Sequence, residues 1–205
     1  MKYLGRCLLL LCLLLIPAFF IQPPVHAAID LDKITAGPAV EDPAKPRVAV
    51  LFVNTAKSTF DADIDQKMMD NFQAVLGARY IRVPGQTYIE RLNKIGITDL
   101  SMAERADIAE AFKGDDVDFV LYAEVQPFVR KERVTFFTVG KDMTAIVPMK
   151  IIDLKGNKYL YNGKFTELAS DSSMIGNVGN RSVALTALDK VITKMNAVIE
   201  VRLPS

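Results

Sequence analysis

Histidine occurs once in this chain, at His26; cysteine occurs twice, at Cys7 and Cys12; tryptophan does not occur. All three of these residues fall within the first 27 positions, which read as a removable leader. "MKYLGR" supplies two cations, Lys2 and Arg6, and residues 7–21 form an apolar run. "QPPVHA" then places Val25 and Ala27 at the −3 and −1 positions, which completes the three-part layout of a secretory signal peptide cut between Ala27 and Ala28. The apolar run is shorter than the roughly 20 residues that a bilayer-spanning helix takes. A lipid-accepting cysteine needs a small residue before it, but Leu11 precedes Cys12 and Cys7 comes too early, so there is no lipobox. The expected product is Ala28–Ser205, secreted or periplasmic, with no membrane span in the mature form.

Those absences exclude much chemistry. A chain starting at Ala28 has no thiol nucleophile, no Ser-His pair, no ordinary zinc site and no disulfide. It has no S-x-x-K and no G-x-S-x-G, so serine chemistry is not signalled. It has no G-x-x-x-x-G-K-[ST] and no G-x-G-x-x-G, so no phosphate-cradling loop or nucleotide cofactor is implied. Loss of Lys2 and Arg6 leaves 23 basic against 24 acidic residues, a net charge of −1. Nucleic-acid binders carry a clear basic excess, so no nucleic-acid partner is expected.

What remains is the pattern of one α/β domain over residues 47–203, preceded by a proline-bearing linker or arm at 28–46. "RVAVLFV" (47–53) is a short apolar run of the kind that forms a buried strand. "FDADIDQKMMDNFQAVLG" sets Ile64, Met68, Phe72, Val75 and Leu76 on one helical face, with Asp61, Asp63 and Asp65 at its positive start. "DADID" also opens like a calcium loop, but position six is Gln66 and position twelve is Phe72, so a helix start is the better reading. "RYIRVPG" reads as a second strand. "QTYIERLNKIG" reads as a short helix aligning Tyr88, Leu92 and Ile95. "SMAERADIAEAFKG" offers a capping box from Ser101 to Glu104, with an apolar stripe of Met102, Ala106 and Ala109.

From "VDFVLYAEVQPFV" onward the period changes to two, through "ERVTFFTV", "MTAIVPMKIIDL" and "KYLYNGKFTEL". "LKGNK" has hairpin-turn chemistry between the last two. Pro148 lacks an amide donor and points to an edge or a bulge. Tyr159, Tyr161 and Phe165 share a face by period two and read as core. The last helix, "NRSVALTALDKVITKMNAVIEV", aligns Ala184, Leu188, Val191, Met195 and Val198. The order β-α-β-α-α-β-β-β-β-α predicts a single mixed sheet packed by helices, parallel early and antiparallel late.

The strand "RVAVLFVN", the segment "GDDVDFVLYAEV", and "VPMKIIDLKGNKYLYNG", with Asp153 and Gly156 in a strand, Asp, Gly-turn, strand pattern, carry a resemblance. They are similar to the bacterial envelope domain shared by the CsgG-like curli secretion lipoprotein, the amino-terminal domain of TolB and a lipoprotein activator of peptidoglycan synthases. The resemblance covers most of 47–203 and implies an anticodon-binding or TolB amino-terminal type of fold. It also implies action by binding other envelope proteins. The chain departs from that pattern in lacking the lipid-accepting cysteine. Four successive charges also break "FVRKERVTFF", which argues against the long membrane hairpins of a pore.

Candidate site residues follow. Phe128, Arg130, Lys131, Arg133, Phe136 and Phe137 lie in one stretch where exposed aromatics beside a basic run could capture a partner strand. The "RKER" run itself reads as the solvated tip of a hairpin. "SDSSMIGNVGNRS" (170–182) is a polar loop that could carry a ligand or simply connect and cap. "GDDVD" (114–118) gathers Asp115, Asp116 and Asp118, which could form an acid-base pair or a cation site, or a solvated turn. The expected function is therefore a non-enzymatic protein-interaction module of the envelope. The alternative is a small-ligand binder or hydrolase built on that carboxylate cluster. Amino-terminal analysis of the exported protein should read "AIDLDK"; an intact Met1 on membrane-bound material would mean that the leader is an anchor.

Overall fold

The computed structural model describes residues 45–77, 79–134, 139–173 and 179–204. The leader, the Ala27–Ala28 junction, residues 28–44, Phe136, Phe137 and residues 174–178 of the polar loop lie outside them. The elements are β1 (Arg47–Asn54), α1 (Asp61–Leu76), β2 (Ile81–Pro84), α2 (Gln86–Lys94), α3 (Arg105–Ala111), β3 (Phe119–Val125), β4 (Val129–Val134), β5 (Val139–Asp153), β6 (Lys158–Ser173) and α4 (Asn180–Arg202). This is the expected order, and the six strands form one mixed sheet.

β1 pairs in parallel with β2 on one side and with β3 on the other. β5 runs antiparallel to everything it touches. β6 lines its whole length, while β3 takes Met149–Asp153 and β4 takes Val139–Thr144 of its other edge. β4 therefore continues β3 rather than folding back on it. Between the pairs Ala123↔Met149 and Val129↔Thr144 the chain spends six steps on one strand against five on the other. That one-residue mismatch is a bulge, and it reverses the faces of β4 relative to β3. Pro127 lies in the interrupted stretch and Pro148 lies opposite it. Pro148 thus marks an irregularity, as its missing donor requires, but β5 is an interior strand rather than an edge.

Period-two burial divides the core by sheet face. Val48, Val50, Leu121, Ala123, Val147, Met149 and Ile151 face α1 and α4. Ala49, Leu51, Val120, Tyr122 and Ile152 face α2 and α3. α1 buries Ile64, Met68, Phe72 and Leu76, with Val75 half-buried, and α4 buries Ala184, Leu188, Val191 and Met195 among others. On α4 it is Ile199 that is buried, and Val198 is half-buried. The acidic start of α1 is tied down three ways. Asp61 accepts from the Ser58 amide and hydroxyl, Asp65 accepts from Asn54, and Asp63 takes a two-pronged pair with Arg181 that holds its carboxyl below the usual range. Gly85, between β2 and α2, must lack a side chain, because a Cβ there would lie 2.0 Å from the Val50 carbonyl oxygen.

Four local expectations are corrected. Ser101 does not cap α3. Its amide and hydroxyl donate to Asp99, which holds residues 99–103 in a turn, so α3 starts later with a capping box between Glu104 and Asp107. The buried stripe is accordingly Ala103, Ile108, Ala111 and Phe112, and Met102 is 72% exposed. Ile95 follows the end of α2 and is exposed, leaving Tyr88 and Leu92 as the buried pair. Tyr159 parts from Tyr161 and Phe165, because Ile151 pairs with Tyr161 while the adjacent Ile152 pairs with Tyr159, leaving Leu160 as a bulge. The bulge turns Tyr159 to the α3 side, whereas Tyr161 and Phe165 stay stacked on the α4 side, 5.6 Å between centroids.

Phe72 is fully buried and meets Phe52 edge-on at 6.0 Å. Phe72→Ala should lower stability by about 3–5 kcal/mol. Val201→Ala, at the exposed end of α4, should stay within about 0.5 kcal/mol of wild type in the same denaturant titration.

Candidate interaction surface

Helices cover one face of the sheet and only half of the other. α1 and α4 lie over the first face. On the second face, the buried residues under α2 and α3 come from β1, from β3 and from the Ile152 end of β5. Beyond Ile152 the second-face positions of β5 are Lys150, Pro148, Ile146, Thr144 and Asp142. Each is only half-buried, while the residues between them are fully buried. Opposite them on β6 stand Asn162, Lys164, Thr166, Leu168 and Ser170, all exposed and alternating with first-face residues. The reversed faces of β4 bring Val129, Lys131 and Arg133 to this same side, paired with Thr144, Asp142 and Gly140. The strands β4, β5 and β6 thus present a sheet surface that no helix among the described residues covers.

That surface is mixed in chemistry. Val129 and Leu168, about half exposed, flank Thr144 in one cross-strand row. Ile146 and Pro148 continue the apolar track toward α3. Arg133 pairs with Asp142 at 2.9 Å. Lys131 and Lys164 are exposed and make no ion pair among the described residues. The two free strand edges differ. Along β6, Lys190 of α4 donates to the Leu168 carbonyl at 2.8 Å and Lys194 pairs with Glu167, so α4 guards that edge. Along β4 all six residues are exposed.

The "RKER" run is therefore not a hairpin tip but the body of an exposed strand. Its mixed signs suit cross-strand pairing, with Glu132 opposite Lys141, Lys131 opposite Asp142, and Arg133 in an ion pair with Asp142. Arg130 pairs with Glu132 on the first face. Phe128 is half-buried, its ring 6.0 Å from Phe60, and it packs on the core below α1. Lys131 and Arg133 are thus the described members of the predicted set that share the open face.

At the α3 end, the open face runs into a cleft of about 470 Å³ lined by Met102, Arg105, Lys150, Tyr159 and Asn162, with the 101–106 backbone as its wall. Lys150 is its inner member. Its ammonium donates to the carbonyls of Ser101 and Ala103, both at 2.8 Å, and lies 5.5 Å from the Tyr122 ring centroid. Burial pushes its pKa below the ordinary lysine value, against the pull of Asp99, Glu104, Asp107 and Glu124. Tyr122 in turn donates to Glu124 at 2.7 Å, and Thr55 donates to the same carboxylate at 2.8 Å. Burial, with the neighbouring carboxylate, pushes the Tyr122 hydroxyl up. A buried carboxylate held by two hydroxyl donors is a satisfied group. Sequence reasoning passed over this track, although Glu124 and Lys150 are polar breaks inside "FVLYAEV" and "VPMKII".

Two of the carboxylates of 114–118, Asp115 and Asp118, have structural tasks. Asp115 pairs with Arg91. Asp118 accepts from the Arg47 amide at 2.7 Å and pairs with Lys155. Burial alone would raise Asp118, but those partners outweigh it and hold the carboxyl below its ordinary value. Neither residue lines the cleft. Among the described residues no group of three or more side chains is gathered to hold a metal, and no helix is long and apolar enough to cross a membrane.

No family model matches the chain. No curated protein matches it in sequence. In structure it is similar to the hypothetical protein CT253 from Chlamydia trachomatis, with 16% identity, a TM-score of 0.50, and coverage of 78% of this chain and 98% of that one. It is also similar to the lipoprotein GNA1162 from Neisseria meningitidis (16% identity, TM-score 0.40, 73% and 99% covered). The LpoB C-terminal domain from Salmonella enterica also matches (12%, 0.34, 61% and 85%), as does TolB from Acinetobacter baumannii (9%, 0.33, 75% and 28%). At these identities the likeness is one of fold. Lipoproteins and TolB are among the structures this chain resembles; likeness to the curli secretion lipoprotein is not shown.

Lys150→Met should leave the Ser101 and Ala103 carbonyls without their donor and cost about 1–3 kcal/mol. The loss should appear in denaturant unfolding together with faster amide exchange at residues 101–104. Unchanged exchange there would mean that the ammonium does not hold the turn.

Proposed function

We propose that this protein is a non-enzymatic interaction module of the bacterial cell envelope, secreted or periplasmic, which recognises another envelope protein through its β4–β5–β6 surface. The observation that carries this reading is the half-covered sheet. A second helical layer stops at Ile152, and the strands beyond it keep an apolar track and two exposed lysines that make no ion pair among the described residues. Exposed surface of that kind is where partners dock. The leader pattern supports an envelope location, and the motif resemblance of residues 47–203 supports action by binding.

The carboxylate-cluster alternative is less well supported, because two of its three members, Asp115 and Asp118, serve in ion pairs and a backbone bond. A small-ligand role is better supported at the cleft, where Lys150, Arg105, Asn162 and Tyr159 converge, but the ammonium there already spends two donors on the protein itself. Cross-linking of the tagged protein in cells should therefore capture a discrete envelope protein. Leu168→Asp should reduce that capture severalfold, whereas Val201→Asp, on the far end of α4, should leave it intact, and both variants should melt like wild type. Equal capture by all three proteins would exclude this surface.

A further inference from the structure

We infer that the open half of the sheet receives an acidic, amphipathic helical segment of a partner protein, lying along β5 and β6 beside α3, with one apolar side chain in the cleft at Met102 and Tyr159. The assignment deepens the interaction role proposed above and rests on it. Four features of the surface lead there.

The first is the missing layer. α2 and α3 cover β1, β3 and the end of β5 on this face, and the next strands lack only the continuation of that layer. The natural cover for a sheet face is a helix with one apolar stripe. The second is length. From the Thr144 row to the Lys150 row is six residues of strand, roughly 20 Å at 3.3 Å per residue, the length of about 13 residues of helix. The third is charge. Lys131, Arg133, Lys150 and Lys164 stand on this face, and Arg105 stands at the cleft. Its acids are already engaged: Asp142 with Arg133, Glu124 with Tyr122 and Thr55, and Glu104, at the cleft, in the capping box that starts α3. Lys131 and Lys164, with no ion pair among the described residues, are left to meet carboxylates. The fourth is the step. A helical layer stands about 10 Å above a sheet, so α3 would hold a planar surface such as a bilayer off these strands. A single rod lying beside α3 meets no such barrier. Strand addition at the β6 edge is disfavoured, because Lys190 already occupies the Leu168 carbonyl there.

The probe is a blocked, dye-labelled peptide of about 15 residues, with Leu at i, i+3, i+4 and i+7 spacing and Glu elsewhere. A matched peptide carrying Lys in place of Glu and phosphatidylglycerol vesicles serve as controls. Anisotropy titration against the mature chain should show binding of the Glu peptide, weakened by added salt, and none of the Lys peptide. Lys131→Glu combined with Lys164→Glu should weaken binding roughly tenfold or more. Leu168→Asp should also weaken it, and all variants should keep the wild-type melting temperature.

Equal binding of both peptides, or an unaffected double variant, would overturn the inference. So would binding to vesicles but not to the Glu peptide, self-association dispersed by Leu168→Asp, or binding that appears only after residues 28–44 are removed. Those results would assign the face to a membrane, a second copy or the chain's own segment. If cellular capture maps to this surface while the Glu peptide fails to bind, the helix assignment falls and the interaction role stands. If capture itself is indifferent to Leu168→Asp, the role falls.

Discussion

β5 is the constraint on which the rest of the structure depends. Its 15 residues are satisfied along both edges by three different strands, all antiparallel. That sharing forces β3 and β4 to lie end to end, and their junction cannot keep a perfect ladder. The chain places Pro127 and Pro148 at the discontinuity, where no amide donor is required. The extra residue there turns Lys131 and Arg133 to the face that Tyr122 and Lys150 occupy farther down. A one-residue bulge thus decides which charges the surface displays.

The same alternation that builds the core also leaves the surface open. Every second residue of β5 from Lys141 to Met149 is buried, and every intervening one is half in solvent. A sheet with helices on both faces would read as a continuous apolar run, as "RVAVLFV" does. The looser "KDMTAIVPMK" pattern belongs to a strand with one covered face. Function is drawn to that difference, since a face that the chain does not cover itself is available to something else.

Much of this was legible in the sequence. The ten elements, their order and the mixed sheet follow from periodicity, because "VITKMNAVIEV" and "VPMKIIDLKGNKYLY" carry unambiguous helical and alternating patterns. What was not legible arose wherever one residue changed register. The bulge at Leu160 sends Tyr159 to a different layer from Tyr161, and no local propensity announces it. Asp99 competes with Glu104 for Ser101 and wins through an adjacent turn, which displaces the start of α3. The surface itself was only half visible: the basic run was evident, but its partners Ile146, Lys164 and Leu168 are brought to it by β-pairing across more than thirty positions for the most distant of them. Glu124 and Lys150 showed as polar breaks, and only the fold reveals that hydroxyls and carbonyls satisfy them.

The most direct test of the central claim is whether the open face is covered in the cell. A chain processed at Ala28 has no cysteine, so a single Thr166→Cys places one thiol at the centre of the face, and Glu200→Cys places one on exposed α4 as a reference. Both positions are solvent-exposed in the protein alone. With a bulky maleimide, the account predicts full labelling of both thiols in purified protein, and protection of residue 166 but not residue 200 in osmotically opened cells. Equal labelling of the two positions in cells would contradict it.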